Sequence, residues 1–247
     1  MSEQDNRDMF RSTMQNTFLL LGIAVAIGLA AVATFGFSPG LVRGAVAAAF
    51  LAPVIEYFIH RFISHGSWMY RFKPTSSIWK RIHYDHHQNP ANPAVLLAAP
   101  GQVIGGSLMF SIPIGLIVGG YQGAAAAAAV GLFHAGVVEL VHANSHAPIF
   151  PDWRYFRYLK ALHLMHHFRN ETVNFGVTSP LFDMLFRTHH AIDRPLARSL
   201  SVRNLGYGPE QARRFPWLSQ LNRKRNPFGE NAGFVARNAG EHEGGRP

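Results

Sequence analysis

At 247 residues the chain is long enough for one domain of ordinary size, and nothing in its length forces two. It contains no cysteine, which excludes disulfides, thiolate metal sites and a cysteine nucleophile. The net charge of +9 would suit nucleic acid if it were spread evenly, but it is concentrated in two segments, 61–94 and 143–247, that flank long uncharged stretches. Basic runs in that position follow the positive-inside rule and favour anionic headgroups, so the expected counter-charge is a membrane surface and no nucleic acid is expected as a partner.

The mean hydropathy of +0.03 averages apolar stretches against a polar second half. The chain opens on a polar leader, residues 1–17, containing Asp5 and Asp8, after which no charged residue occurs between Arg11 and Arg43. A helix needs about 20 apolar residues to cross about 30 Å of hydrocarbon, and the first span is placed at Phe18–Phe37. The acidic leader and the lack of a small-residue cleavage site argue against a removable signal peptide. Ser38-Pro39-Gly40 is a turn signal, and a second span follows at Leu41–Ile59. Residues 60–94 are polar and form the first part of a cap. The uncharged stretch from Asp85 to Glu139 is too long for one crossing and divides at Gly119-Gly120-Tyr121-Gln122-Gly123 into spans near Val95–Val118 and Ala124–Val141. The Ala124–Ala129 run permits close helix packing. Residues 143–194 form the second part of the cap, and 195–247 a tail, frayed at Asn238–Pro247.

The expected fold is an all-α integral membrane domain: four transmembrane helices in two hairpins, with a helical, histidine-rich cap. The two turns carry no charge, whereas the segments after spans two and four carry nearly all of it. Cap and both termini are therefore expected on the inner, cytoplasmic side.

Thirteen of the fourteen histidines lie between positions 60 and 190, and they fall in boxes. His60 and His65 follow span two, and His83, His86 and His87 follow in the cap. His142 and His146 end span four, and His163, His166 and His167 follow in turn. Positions i, i+3 and i+4 share a helix face, so each triplet can converge, and so can His142 with His146. His60 and His65 differ by five residues, about 140° of rotation on an α-helix, and point apart unless the helix bulges or ends between them. A lone buried histidine is usually a hydrogen-bonded core residue, but that reading would have to hold for four boxes at once. Haem is a poor fit, because its ligands stand singly at mid-span. Ten imidazoles directed at one cap are what two metal ions need.

These boxes, with Glu56-Tyr57-Phe58-Ile59-His60-Arg61 before them and Asn174-Phe175-Gly176-Val177-Thr178 and Asp183-Met184-Leu185-Phe186-Arg187-Thr188 after them, resemble the fatty acid hydroxylase and sterol desaturase superfamily of membrane di-metal oxygenases over about residues 50–190. The box spacing is most similar to the fatty acid 2-hydroxylase branch. The carotenoid ring hydroxylases share the first box and an echo of His65-Gly66-Ser67-Trp68, but their third box is usually longer. The resemblance implies two iron ions, with zinc possible on overexpression, and O2-dependent hydroxylation of a lipid drawn from the bilayer. It suggests one metal on His60, His83, His86, His163 and His166, and the other on His65, His87, His142, His146 and His167. No fused haem domain is read here, since the residues before His60 hold no histidine, so electrons are expected from a separate reductase or small carrier protein. Oligomeric state is not legible.

Around the boxes, Glu56 and Glu139 are candidates to fix an imidazole tautomer, with helix-end carboxylates as the plainer reading. Asp85 is read as a salt-bridge partner of Lys80 or Arg81. His134 lies about 12 Å of helical rise from His142 and is read as an interior or channel residue. His189 and His190 could supplement the site, or form a surface pair. Phe62, Trp68, Trp79, Phe168 and Phe175 are candidate lining residues. A desaturase or a sterol or carotenoid hydroxylase on the same scaffold is the alternative. A membrane metal transporter is a distant one, because apart from Arg43, Glu56, His134 and Glu139 the spans are bland.

Overall fold

The structure is a computed structural model that describes residues 3–90, 92–147 and 153–225; His242 and the stretch Asn238–Pro247 lie outside them. Among the described residues the fold is all helical, with no strand.

Helix α1, Glu3–Phe35, takes in the polar leader and the first span as one rod. It is stopped by Gly36, whose φ of 63° is cheap only without a Cβ. Helix α2 follows at Pro39–Phe58, with Ser38 as its N-cap accepting from the Leu41 amide at 3.3 Å. Its last turn widens into a π-helical segment, Ile59–Ser64. Short helices α3 (Ser67–Arg71) and α4 (Lys73–Trp79), a second π-helical segment (Lys80–Tyr84), α5 (Asp85–Gln88) and α6 (Pro93–Leu96) make up the first part of the cap.

Helix α7, Pro100–His146, is broken at Gly120, where φ is 62° and ψ −151°. The chain doubles back there. A Cβ on Gly131 would come within 2.8 Å of the Ser111 side chain, and one on Gly115 within 2.3 Å of the Gly123 carbonyl, neither of which a straight helix allows. The two arms, 100–119 and 121–146, pack against α1 and α2. Ser38 donates to the Gln122 side chain at 2.6 Å, so the turn after α1 and the turn inside α7 lie side by side.

Three helical stretches are long and apolar enough to cross a membrane: Arg7–Phe35, Pro39–Arg71 and Pro93–His146. Their outer faces are also apolar, as Phe50 at 77% exposed and Ile117 at 83% show. A helix apolar on every side is stable in hydrocarbon and not in water.

The second part of the cap is α8 (Arg154–Phe168) and α9 (Leu181–Leu185), followed by α10 (Pro209–Arg214) and α11 (Trp217–Arg225). Residues 195–225, expected as tail, fold over the first part of the cap. Leu205, Tyr207 and Leu218 share a core with Met69, Tyr70, Trp79 and Tyr84, and the Trp217 indole donates to the Tyr70 carbonyl at 2.7 Å. Leu218 is fully buried; an apolar side chain so enclosed contributes about 1.5–3 kcal/mol. The Lys80–Asp85 ion pair joins the ends of the second π-helical segment.

Candidate metal centre

The ten box histidines converge. Ring nitrogens of His86, His142, His146, His163 and His167 form one group within 4.8 Å of one another, those of His60, His65, His83 and His166 a second, and His87, His166 and His167 a third that joins them. This grouping differs from the division suggested by the resemblance. His65 belongs with His60, and His86 and His163 belong with His142 and His146. The first π-helical segment is the reason: the His65 amide donates to the His60 carbonyl, five residues back, at 3.1 Å, and the wider turn brings both rings to one side. The second π-helical segment carries His83, and the α-helix that follows it carries His86 and His87.

Backbone carbonyls set the tautomers of several rings. Nδ1 of His60 donates to the Phe175 carbonyl, Nδ1 of His166 to the Val173 carbonyl at 2.7 Å, and Nδ1 of His87 to the Val202 carbonyl at 2.9 Å. A carbonyl can only accept, so each Nε2 carries a lone pair. The Nε2 atoms of His60, His83, His65 and His166 then stand in a row at 3.1, 3.0 and 3.0 Å. With the two outer atoms fixed as lone pairs, His83 and His65 must each donate outward, which leaves neither a proton nor a lone pair for the contact between them. No arrangement of neutral rings satisfies all three contacts; a cation shared by the four lone pairs does.

Protonation does not relieve the row. Burial first, and neighbouring imidazoles after it, hold His83, His86, His163, His166 and His167 well below the ordinary histidine value, and burial brings His87 to about 3. In the first group, of five, the Nε2 contacts are 3.0 Å for His142–His86 and 2.9 Å for His146–His163. Nε2 of His87 and Nε2 of His167 are buried without a partner. A buried nitrogen without a hydrogen bond is costly unless it ligates. Imidazole nitrogens about 2.1 Å from one ion at right angles lie about 3.0 Å apart, and tetrahedral ligands about 3.4 Å. The donor set fits metal, and fits a five- or six-coordinate ion better than a tetrahedral one.

The segment 173–178 supplies two of those carbonyls and is itself clamped by two carboxylates. Asp183 accepts from the Phe175 amide at 2.8 Å, the Gly176 amide at 2.7 Å and the Thr188 hydroxyl at 2.8 Å. Arg61 donates to the Tyr57 hydroxyl at 2.6 Å, which donates to Thr188 at 2.9 Å, so the α2 end is tied to the same clamp. Glu56 accepts from the Val177 and Thr178 amides at 2.6 and 2.9 Å, from the Thr178 hydroxyl and from His134 at 3.0 Å. Its carboxylate therefore bonds none of the ten clustered rings; it fixes the loop that orients His60 and His166. Glu139 likewise bonds none of them; Asn16 donates to its carboxylate, and its Oε2 is buried without a partner. The sequence placed Asp183 in the closing motif 183–188 without giving it a role, and Val202 lies in the expected tail.

His189 and His190 do not join either group. His189 Nε2 pairs with the Tyr158 hydroxyl at 3.0 Å. The His190 amide donates to Asn174, which holds a left-handed φ of 55° that asparagine tolerates. Of the candidate lining residues, Phe175 packs edge-on against His60 and His65, and Trp68 lines the main cavity. Trp79 is fully buried in the cap core, Phe168 lies under the Arg203 guanidinium, and Phe62 packs on Phe58.

That cavity, about 640 Å³, lies between α2 and the two arms of α7 and ends at His60, His83 and His142. Its wall is almost wholly apolar, apart from the Glu56–His134 pair, Glu139, Gln102 and a few serines.

The fatty acid hydroxylase family profile matches residues 45–188, which contain all ten clustered histidines. The chain belongs to that family. It is 30% identical over 160 residues to the ceramide very long chain fatty acid hydroxylase SCS7 of Saccharomyces cerevisiae, covering 60% of this chain and 38% of that protein. It is 31% identical over 148 residues to human fatty acid 2-hydroxylase, covering 56% and 37%. With dihydroceramide fatty acyl 2-hydroxylase FAH1 of Arabidopsis thaliana it shares 28% over 165 residues, 61% of this chain and 62% of that protein. The chain thus spans under two fifths of the length of the yeast and human relatives. Among solved structures, the hydroxylase domain visible in full-length Scs7p superposes with a TM-score of 0.61 at 25% identity, over 73% of this chain and 69% of that one.

Proposed function

We propose that the chain is a membrane di-iron hydroxylase that uses O2 to convert a C–H of a lipid acyl chain to C–OH. The observation that carries this reading is the convergence of ten imidazoles, seven of them buried, at the end of an apolar cavity that His60, His83 and His142 line. One group of five and one of four, joined by His87, suit two ions, and the 2.9–3.1 Å spacing of their Nε2 atoms favours iron over tetrahedral zinc, although imidazole sites accept zinc on overexpression. The relatives' names point to the acyl chain as the substrate portion.

Bound iron would supply the oxidising power; the protein supplies binding, orientation and dryness. The cavity wall holds an alkyl chain by burial alone, which orients it without competing for the metal. The Val173, Phe175 and Val202 carbonyls fix the tautomers of His166, His60 and His87, with Nε2 inward. One oxygen atom of O2 enters the product, and the other leaves as water with two electrons and two protons from a separate reductase or electron carrier.

The arms of α7 lying antiparallel about Gly120 support four crossings, with cap and both termini on the cytoplasmic side where the basic segments lie. The test is lipid mass spectrometry of a host with and without the chain. A lipid heavier by one oxygen atom, lost in His86→Ala at equal expression, is expected; identical lipid profiles would contradict the reading.

A further inference from the structure

The cavity is a trench with a floor. On the second arm of α7 the residues facing it run Gly131, His134, Ala135, Val138, Glu139 and His142, one helix face over eleven residues, or about 16 Å of rise. Along α2 and the π-helical segment after it, the trench runs from Ala48 down to His60. The bilayer's hydrocarbon core is about 30 Å thick, so each leaflet's chains extend about 15 Å, and the trench has the length of one acyl chain. At its far end stand Ala48 of α2, and Ser111 and Ile114 of the first arm of α7, where Gly131 already presses on Ser111.

Beyond that point three helix backbones meet. A Cβ on Gly44 would lie 2.2 Å from the Gly123 carbonyl oxygen, and one on Gly123 2.4 Å from the Gly115 carbonyl oxygen. Backbones in such contact leave no room for a methylene, and interiors packed to that density do not yield to one. In the middle of the trench the opposite holds: a Cβ at Gly105 or Gly106 would meet nothing within 4 Å, and that vacant width is where a chain lies. Of the two carboxyl groups on the wall, Glu56 is closed on His134 and on the Val177–Thr178 loop, and Glu139, beside His142 at the histidine end, accepts from Asn16.

We propose that Ala48 and Ile114 set the longest acyl chain the protein oxidises: the chain end stops against them and the glycine crossing behind, which fixes the carbon presented at the histidines. The proposal rests on the hydroxylase reading above, and adds a length limit that the reading does not require.

The test uses full-length protein in host membranes supplied with lipids of graded saturated acyl length, with hydroxylated products measured by mass spectrometry and bound metal by elemental analysis. Ala48→Phe should move the product distribution to shorter chains. Because one methylene in an apolar pocket discriminates by roughly 10- to 200-fold, kcat/KM for the longest chain should fall about tenfold or more relative to the shortest. Ile114→Ala should shift the distribution to longer chains. Metal content should not change in either variant, since both positions lie far from the histidines. A uniform loss at all lengths in Ala48→Phe, with Ile114→Ala unchanged from the parent, would overturn the length limit while leaving the hydroxylase reading intact. A parent protein that oxidises no lipid would overturn both.

Discussion

Burial keeps the cap histidines His83, His86, His87, His163, His166 and His167 neutral, which suits them to ligate a metal and also makes them sensitive to acid. For His87 the folded value is about 3 against 6.5 in the unfolded chain. Below pH 6.5 the unfolded chain takes up protons that the folded chain refuses, so stability is full above about 6.5 and falls as pH drops from there toward 3. Metal affinity should fall over the same window, because protons compete for the same nitrogens; metal release and unfolding followed between pH 7 and 4 would check both, and a flat profile would contradict the burial account. Asp183→Ala should cost about 2–4 kcal/mol, since it strands the buried Phe175 and Gly176 amides, and should lower metal content by freeing the carbonyl that orients His60. His134→Gln should keep its metal and most of its activity, because glutamine can still donate to Glu56. The triplets were legible at this scale because i, i+3, i+4 spacing fixes a face. The role of Asp183 was not, because it acts through backbone amides that no side-chain pattern announces.

Among the elements, the π-helical segment Ile59–Ser64 is the feature that spacing could only pose as a question. On an α-helix His60 and His65 diverge; the extra residue of a π turn brings their ring centroids to 5.0 Å. Inserting one alanine after Phe62, which faces outward, should rotate His65 by about 100° relative to His60, removing it from His83 and His166. Metal analysis of the insertion variant should show at least one ion lost; full retention would mean that the register between the two rings is dispensable. That the chain has helices apolar enough to cross a membrane was legible, because a water-facing helix of that length carries charge on its outer side and these three stretches do not. The leader and the tail were not. Residues 1–17 look polar, yet Met9 and Thr13 are fully buried against other elements, and residues 199–207 look like a loop, yet Val202 holds His87 in place. Tertiary contacts, not local pattern, order both.

Taken whole, the molecule is an apolar bundle with its chemistry gathered at one end. Reporter fusions at residues 120 and 200 should report opposite sides of the membrane, as four crossings require; the same side for both would remove the hairpin in α7. The central claim is that clustered histidines at the end of a lipid cavity activate O2 against a C–H bond. The most direct test is turnover of iron-loaded protein in vesicles, with a chemical reductant and isotopically labelled O2, the product lipid being read by mass spectrometry. The account predicts one labelled oxygen atom in each hydroxylated chain, absent in His167→Ala. Unlabelled product oxygen, or labelling that persists in His167→Ala, would contradict it.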